Sequence, residues 1–367
     1  MRSSSSTAAT ARRCGQRKRR FAEMEDQRPG FLRRSTVLPI TQQRYQQAAR
    51  AFEVEQGREL KTMTAAELDT AMAVYLETLY LRGETVVVAR YALFGTMHVL
   101  DMVSRNPSVM PLSKKSRKGY SRKAPEESRD PPCEEMVWLA AEFMLRSLPG
   151  TMGGQAALLT LTAFDGYLRP TEALKLQTED FFIAKQKKET HVSVVIAPFT
   201  RGEPAKNRQF DDGYSLGAHG RDVLVELIVK VVAGRQVGER IFDTMSLPAL
   251  EKSFREFSKT EAVKMTPHSL RHAGPSHDHY FSKVTLQDIQ LRGRWQSLDS
   301  CRRYAKPSRM LRQLAALSPA QRLRAAAAVV EIPSQILLRL GLPIIGVVEC
   351  DRRSSRRNTI TPAPRGR

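Results

Sequence analysis

The sequence of 367 residues has only four cysteines, and no two of them lie close together along the chain. Cys14, Cys133, Cys301 and Cys350 form no Cys-x-x-Cys pair. This scarcity excludes a disulfide framework and a zinc knuckle, and it indicates a reducing compartment.

Long hydrophobic runs are also missing. The most apolar stretch, residues 325–349, is interrupted by Glu331, Pro333 and Arg339, so we expect no membrane span and no membrane partner. Hydrophobic residues still make up 41% of the chain, which is enough to bury real cores. The length suits two domains.

Acidic residues are scarce relative to basic ones, and the net charge is +21. The excess is concentrated in residues 1–35, 111–123 and 351–367, which together hold 22 of the 59 lysines and arginines but only 4 of the 38 acids. The rest of the chain is therefore close to neutral. Basic segments beside folded domains are typical of proteins that bind a polyanion, and double-stranded DNA is the partner we expect. Tails that only improve solubility are the alternative.

The first 22 residues contain no acid, and the basic run RKRR lies within them. This stretch has three open interpretations, namely a nuclear-localisation signal, a Ser/Arg-rich organelle transit peptide, or a plain disordered arm. We expect a nuclear protein in a eukaryote, with organelle targeting as the alternative, and otherwise a cytoplasmic protein on DNA.

Helix signals in the first half predict an all-helical domain over residues 36–107. Thr64 and Glu67 form a capping-box pattern ahead of an apolar stripe, and Gly83 ends that helix. We interpret residues 1–35 as a disordered basic arm and 108–132 as a basic linker, because the latter has prolines, many charges and no apolar periodicity. The linker side chains that we expect to contact DNA are Lys114, Lys115, Arg117 and Lys118.

The second half predicts a mainly helical domain with a small β-sheet, that is, an α+β fold, over residues 133–310. The patterns of residues 133–148 and 153–168 predict two helices, and Pro170 is expected near the start of another. Residues 191–199 are the one clear strand, followed by a returning strand. Helices over 311–345 and a basic tail over 346–367 complete the chain.

Three motifs follow one another in this second domain. Arg169 and Glu172 come first, His268-x-Leu-Arg271-His272 about a hundred residues later, and Gly293, Trp295 and Tyr304 last. In this order they resemble the tyrosine recombinase (phage integrase) family, and the resemblance covers roughly 133–308. The helical module before it is similar to the family's core-binding domain. Gly274 and Pro275, and the segment Arg-Gly-Arg-Trp, depart from the family pattern and leave open an eroded enzyme or a helix break.

The resemblance implies that Tyr304 attacks a DNA phosphodiester and becomes joined to the 3′-phosphate. A free phenol is only ~0.1% ionised at neutral pH, so this chemistry needs a cationic site. Arg169 and Arg271 would grip phosphate oxygens, His268 would donate a hydrogen bond or accept the phenol proton, and Trp295 would supply one N–H. Glu172 and His272 would support the arginines.

The departing oxygen needs a proton, and family members use a lysine between two strands for this purpose. Lys206 is the best-placed candidate. No metal or other cofactor is implied, although His272, His277 and His279 crowd together, because no cysteine or acid completes a ligand pattern.

The resemblance also implies self-association as a dimer or tetramer on DNA, with a helix after the nucleophile docking on a neighbouring protomer. Folding of that helix onto its own domain is the alternative. Two other functions stay open: a DNA-binding protein derived from such an enzyme that no longer cleaves, and a type IB topoisomerase.

We predict that deleting residues 1–35 and 351–367 flattens the salt dependence of DNA binding, because these tails hold much of the excess charge. Each phosphate that a tail neutralises contributes about −0.9 to the slope of log K against log salt. Fluorescence anisotropy on one duplex at several salt concentrations measures this slope. An unchanged slope in a folded deletion variant would show that the tails do not bind DNA.

Overall fold

The computed structural model describes residues 37–126, 130–186, 189–202 and 210–343. The chain divides into two compact units, residues 1–128 and 129–367. The two tails and Lys206, which the sequence singles out, lie outside the described residues. Among the residues described, no helix is long and apolar enough to cross a bilayer.

The first unit is all helical, as its sequence predicts. Its helices are α1 (Pro39–Gln56), α2 (Ala65–Leu81), α3 (Val86–Val99) and α4 (Pro111–Lys123). The capping box at the start of α2 is confirmed, since the Thr64 hydroxyl accepts from the Glu67 amide and Glu67 accepts from the Thr64 amide at 2.8 Å. Phe52, Met72 and Leu93 lie in a core with no exposed surface or almost none.

Helix α4 replaces most of the linker that the sequence predicts over residues 108–132, and this is a correction. The helix forms because Asp69, which is buried, accepts hydrogen bonds from the amides of Leu112 and Ser113 at 2.9 and 2.8 Å. Its other end is held by Tyr120, whose hydroxyl donates to the carbonyl of Glu84. Two polar anchors thus substitute for the apolar stripe that the sequence lacks here.

The second unit is mainly helical with one small sheet, which confirms the predicted fold class. Its first helices are α5 (Glu134–Ser147), α6 (Gly150–Asp165) and the single turn α7 (Pro170–Ala173). After the sheet come α8 (Asp222–Ala233), α9 (Leu247–Thr260), α10 (Leu270–Tyr280), α11 (Leu286–Arg292) and α12 (Leu298–Arg302). The last helices are α13 (Pro307–Ala316) and α14 (Pro319–Arg339).

The sheet has three antiparallel strands in the order β1 (Phe181–Gln186), β2 (Glu189–Ile196) and β3 (Asp212–Ser215). Strands β2 and β3 are the pair that the sequence predicts. Strand β1 is not predicted by the sequence. Only its first residue, Phe181, is buried, so it carries no alternation of apolar and polar residues that a sequence could reveal.

Helix α10 is continuous through Gly274 and Pro275, so the helix break considered from the sequence does not occur. A Cβ at Gly274 would lie 2.3 Å from the carbonyl oxygen of Phe164 and 2.5 Å from the Tyr167 ring. The glycine therefore lets α10 approach the end of α6 closely. This contact positions the part of α10 that carries the histidines and Arg271.

Helices α13 and α14 fold back onto their own unit. Helix α14 packs against α5 and α6, and its buried residues, Ile332, Ile336 and Leu337 among them, belong to the main core of this unit. Of the two alternatives for these helices, the described residues therefore support packing within one domain.

Candidate active site

Arg271 is the centre of the site, and its side chain is completely buried. One terminal nitrogen donates to the backbone carbonyl of Tyr167, and the other donates to the carbonyl of Gly293 at 2.7 Å. Burial lowers the pKa of Arg271, and the charge of Arg169 lowers it further, while Glu172 acts in the opposite direction. With a pKa of about 9 the guanidinium stays charged at neutral pH.

Glu172 provides a negative charge beside the arginines of this cluster. Its carboxylate accepts from the backbone and side chain of Arg169, and from Arg294 at 3.2 Å, and lies 3.6 Å from Arg271. Burial raises the pKa of the Glu172 carboxyl, but the guanidiniums of Arg294, Arg271 and Arg169 outweigh it and hold the pKa below its ordinary value. Glu172 is therefore ionised at neutral pH and shared by three arginines.

The segment Arg-Gly-Arg-Trp, which departs from the family pattern, is part of this site. Trp295 folds back over Arg271, with the guanidinium carbon 4.8 Å from the ring centroid. A Cβ on Gly293 would lie 1.9 Å from the Trp295 ring, so only glycine leaves room for this arrangement. The indole Nε1 of Trp295 and the Nε of Arg271 are buried donors with no acceptor among the described residues.

Tyr304 lies against the same cluster. Its ring is stacked on His272, with centroids 4.4 Å apart, and is tilted against Trp295 at 4.8 Å. The Arg271 guanidinium carbon is 5.6 Å from the ring centroid. Ser276 contacts the backbone around Tyr304: its hydroxyl shares one proton between the carbonyls of His272 at 2.7 Å and Tyr304 at 3.1 Å, and it accepts from the Lys306 amide at 2.9 Å.

Within the second unit, the structure brings together the predicted catalytic residues that it describes and the two predicted supporting residues, Glu172 and His272. His268 is half-buried and its ring lies 5.9 Å from that of His272. Arg169, His268 and Tyr304 keep some exposed surface, whereas the side chain of Glu172 is only 8% exposed and that of Arg271 is completely buried. The site is a partly exposed layer of polar side chains together with buried charged side chains.

A second network of buried charged side chains is connected to the Arg271 cluster through Tyr167. The Arg221 guanidinium donates to Asp165 at 2.8 Å and to both oxygens of Asp278 at 2.9 and 2.8 Å. Tyr167, whose carbonyl receives Arg271, also donates its hydroxyl to Asp278. Arg292 donates to the Asp165 carboxylate at 3.0 Å, so two acids and two arginines balance.

The two histidines that follow His272 on α10 contact residues outside the Arg271 cluster. His277 lies 3.3 Å from Glu134, and the ring of His279 is 2.9 Å from the carbonyl of Val284. Within the ranges that the structure describes, no three histidine, cysteine, aspartate or glutamate residues are grouped closely enough to hold a metal ion.

The four lysines and arginines expected to contact DNA all lie on α4. Lys115 and Lys118 are exposed. Lys114 donates to the carbonyl of Asn106 at 2.5 Å, and the Arg117 guanidinium lies 5.7 Å from the Phe94 ring centroid. Arg122 and Lys123 are exposed on the same helix, and α4 carries no acid. It therefore presents a strongly basic surface.

Arg294 and Tyr167 are two of the residues near the site that the sequence did not single out. Both have a left-handed backbone, with φ of 58° and 51°, although neither is glycine. Such a conformation costs about 1–3 kcal/mol at a non-glycine residue and persists only where its surroundings enforce it. The position of Arg294 beside Trp295, and of Tyr167 two residues before Arg169, is the only sequence signal that could have suggested them.

No protein-family model matches the sequence, and no curated protein matches it. Among solved structures, the chain is similar to the XerH site-specific recombinase bound to difH substrate in a pre-cleavage complex, with 15% identity over 71% of each chain and a TM-score of 0.43. A post-cleavage complex of XerH with palindromic difH has 17% identity over 79% of this chain and 77% of that one, with a TM-score of 0.44. XerA recombinase has 12% identity over 82% and 95%, with a TM-score of 0.35. These likenesses are too distant to assign a family.

We predict that Asp278→Ala destabilises the second unit by about 3–5 kcal/mol, because it removes half of the charge that balances Arg221 in the interior. Both tryptophans, Trp138 and Trp295, lie in the second unit, so tryptophan fluorescence during urea unfolding reports on it. Asp299→Ala removes the exposed partner of Arg302 and should change stability by less than about 1 kcal/mol. Equal effects of the two substitutions would contradict a balanced buried network.

Proposed function

We propose that this protein is a DNA strand-transfer enzyme of the tyrosine recombinase type, which cuts and rejoins DNA through a 3′-phosphotyrosine intermediate. The observation that carries this proposal is the convergence of Arg169, Arg271, Trp295 and Tyr304 from four separate segments of the second unit. The order of the three sequence motifs supports it independently.

The charges of the cluster suit a phosphodiester in its transition state. Phosphoryl transfer places negative charge on the non-bridging oxygens, and catalysis depends mainly on positioning and electrostatic stabilisation. Arg169 and Arg271 supply positive charge, and only one of the three arginine charges here is neutralised by Glu172. The unpartnered N–H groups of Arg271 and Trp295 are the donors that an incoming oxygen would satisfy.

Tyr304 is the nucleophile in this proposal. Its oxygen attacks the phosphorus, the bond to the 5′-oxygen breaks, and the DNA 3′-phosphate remains joined to the tyrosine. Rejoining reverses these steps with a 5′-hydroxyl as the attacking group. His268 is placed on the partly exposed layer beside His272, where it can hydrogen-bond a phosphate oxygen or take up the phenol proton.

Access to Arg271 requires a local movement. The guanidinium has no exposed surface, and the rings of Trp295 and Tyr304 lie against it. We propose that the Tyr304 ring swings away from Arg271 when a phosphate arrives. The hydrogen bonds of Ser276 with the backbone of Tyr304 and Lys306 favour a movement of the side chain over one of the main chain.

The role of Lys206 stays a proposal from the sequence. It would protonate the departing 5′-oxygen from the chain between β2 and β3. Arg201, at the start of this connection, is engaged with Asp180 and with the carbonyl of Lys175, and a guanidinium releases its proton too reluctantly to act as a general acid.

Double-stranded DNA is the proposed partner. Lys115, Lys118 and Arg122 are exposed on α4 at helical spacings of three and four, which places them on one face. Such a face can neutralise successive phosphates of a DNA backbone. We further propose self-association on DNA, a nuclear location in a eukaryote, and no cofactor, since arginines supply the positive charge that a metal would provide.

We predict that Tyr304→Phe abolishes the covalent protein–DNA complex and leaves DNA affinity nearly unchanged, because only the attacking oxygen is lost. The probe is a pool of nicked duplexes with randomised sequence around the nick, so that every possible target sequence is sampled at once. Complexes that survive denaturing detergent are measured, and their DNA is sequenced.

Tyr280→Phe is the matched control, since it removes the hydroxyl of a partly exposed tyrosine on α10 away from the cluster. It should trap DNA like the wild type. A covalent complex that persists in Tyr304→Phe would refute this nucleophile. A wild type that binds but never traps DNA would favour the non-cleaving alternative, and relaxation of supercoils by a monomer would favour a topoisomerase.

We predict that Lys206→Ala cleaves ordinary DNA slowly but recovers most of its rate on DNA with sulfur at the 5′-bridging position. A thiolate departs without a proton, whereas an alkoxide needs a general acid. Single-turnover cleavage of both substrates measures the difference. Lys185→Ala, on the exposed side of β1, should have no defect on either, and Arg271→Ala should not recover. Equal defects of Lys206→Ala on both substrates would remove it from the acid role.

A further inference from the structure

Arg294 occupies a backbone conformation that disfavours it. Its φ is 58°, in the left-handed region, where glycine is the least strained residue and a long side chain is rare. The side chain is only 4% exposed. A strained backbone with a buried charge persists only when specific contacts compensate for both, so these contacts indicate what the residue does.

The contacts of Arg294 are all within the protein. One terminal nitrogen donates to Glu172 at 3.2 Å, and the other donates to the carbonyls of Gly166 at 3.3 Å and Arg292 at 3.1 Å. Its guanidinium carbon lies 5.8 Å from the centroid of the Tyr214 ring. Both terminal nitrogens of Arg294 are thus engaged within the protein, and the contact that links this side chain to the two arginines proposed to bind phosphate is the one with Glu172.

Glu172 is the residue that makes this link. Its Oε2 accepts from Arg294 and from the Arg169 amide, and it lies 3.6 Å from Arg271, while Oε1 accepts from the Arg169 side chain. The carboxylate is thus oriented with one oxygen toward each of the two arginines proposed to bind phosphate. Arg294 is the third arginine that contacts this carboxylate.

We propose that Arg294 is a positioning residue, which fixes the Glu172 carboxylate so that Arg169 and Arg271 are held in the geometry that binds the scissile phosphate. This inference rests on the proposed function. Its left-handed backbone brings the guanidinium to Glu172 from a residue adjacent to Trp295. The same short segment therefore orients the indole and the carboxylate together.

The test compares Arg294→Gly with the wild type on a nicked duplex recovered from the randomised pool. The single-turnover rate of covalent trapping should fall roughly ten- to a hundredfold, as expected when charged groups are displaced by a fraction of an ångström to an ångström. The dissociation constant for DNA should change little. Lys283→Gly is the matched control, because Lys283 also has a left-handed φ of 55° but is exposed and outside the cluster. It should trap at the wild-type rate.

A double-mutant cycle separates positioning through Glu172 from a general structural or charge effect. In a Glu172→Gln background, Arg294→Gly should change the trapping rate by less than about twofold, because the contact through which it acts is already weakened. Additive losses in the double variant would overturn the proposal, as would a full rate in Arg294→Gly alone. Arg294→Asn is the second variant if glycine prevents folding, since asparagine tolerates the left-handed region.

The same cycle in urea unfolding does not depend on activity. Coupling between positions 172 and 294 in the unfolding midpoint, followed by tryptophan fluorescence, supports the proposed contact. Absence of coupling overturns the inference whatever the wild type does on DNA. A wild type that never traps DNA while the coupling is present would overturn the proposed function instead, so the two failures are distinguishable.

Discussion

A fully buried guanidinium needs acceptors and a counter-charge, and the second unit is arranged to supply them to the two terminal nitrogens of Arg271, while its Nε has no acceptor among the described residues. Transferring an unpaired charge from water into a protein interior is prohibitively unfavourable, so a charged interior residue needs both a counter-charge and hydrogen bonds. Arg271 obtains them from the carbonyls of Tyr167 and Gly293 and from Glu172. These groups come from the end of α6, from α7 and from the segment after α11. Arg271 therefore joins two distant parts of the chain to α10, namely residues 167–172 and the residues that follow α11.

The second network, formed by Arg221, Arg292, Asp165 and Asp278, meets the same need for balanced charge around a residue that binds Arg271. Tyr167 can offer its carbonyl to Arg271 because its hydroxyl is held by Asp278, and Asp278 is in turn balanced by Arg221. Burial raises the pKa of the Asp165 carboxyl, although the charges of Arg221 and Arg292 oppose this effect. The two networks meet at Tyr167 and along residues 292–294. The geometry around Tyr304 consequently depends on acids and arginines that never approach it.

Much of the fold could be predicted because it depends on local patterns. The capping box at Thr64 and the alternation in residues 191–199 are signals that act over a few residues. Strand β1 and helix α4 could not be predicted in the same way. The first buries only Phe181, and the second is fixed by a carboxylate 43 and 44 residues away in sequence.

The candidate site shows the same difference between features that local sequence signals indicate and features that depend on long-range contacts. Residue types and motif order indicated Arg169, Arg271, Trp295 and Tyr304, because phosphate chemistry restricts which side chains can serve. Glu172 was indicated as a support for the arginines, but the buried network behind Tyr167 was not, since the separations from Arg221 to Asp165 and Asp278 are 56 and 57 residues. A pairing over such distances exists only in the folded chain. Each of the four residues of the segment Arg-Gly-Arg-Trp, which departs from the family pattern, contributes a contact to the site or to the network behind it.

The small side chain of Ser276 links two parts of the candidate site. It lies on α10, little more than one helical turn from Arg271, and its hydroxyl binds the backbone of Tyr304 and Lys306. Arg271 and Ser276 lie on one helix, and the main chain on both sides of residue 305 is hydrogen-bonded to that helix. The backbone of Tyr304 is therefore located by the helix that carries Arg271, and not only by the chain between them, residues 281–303.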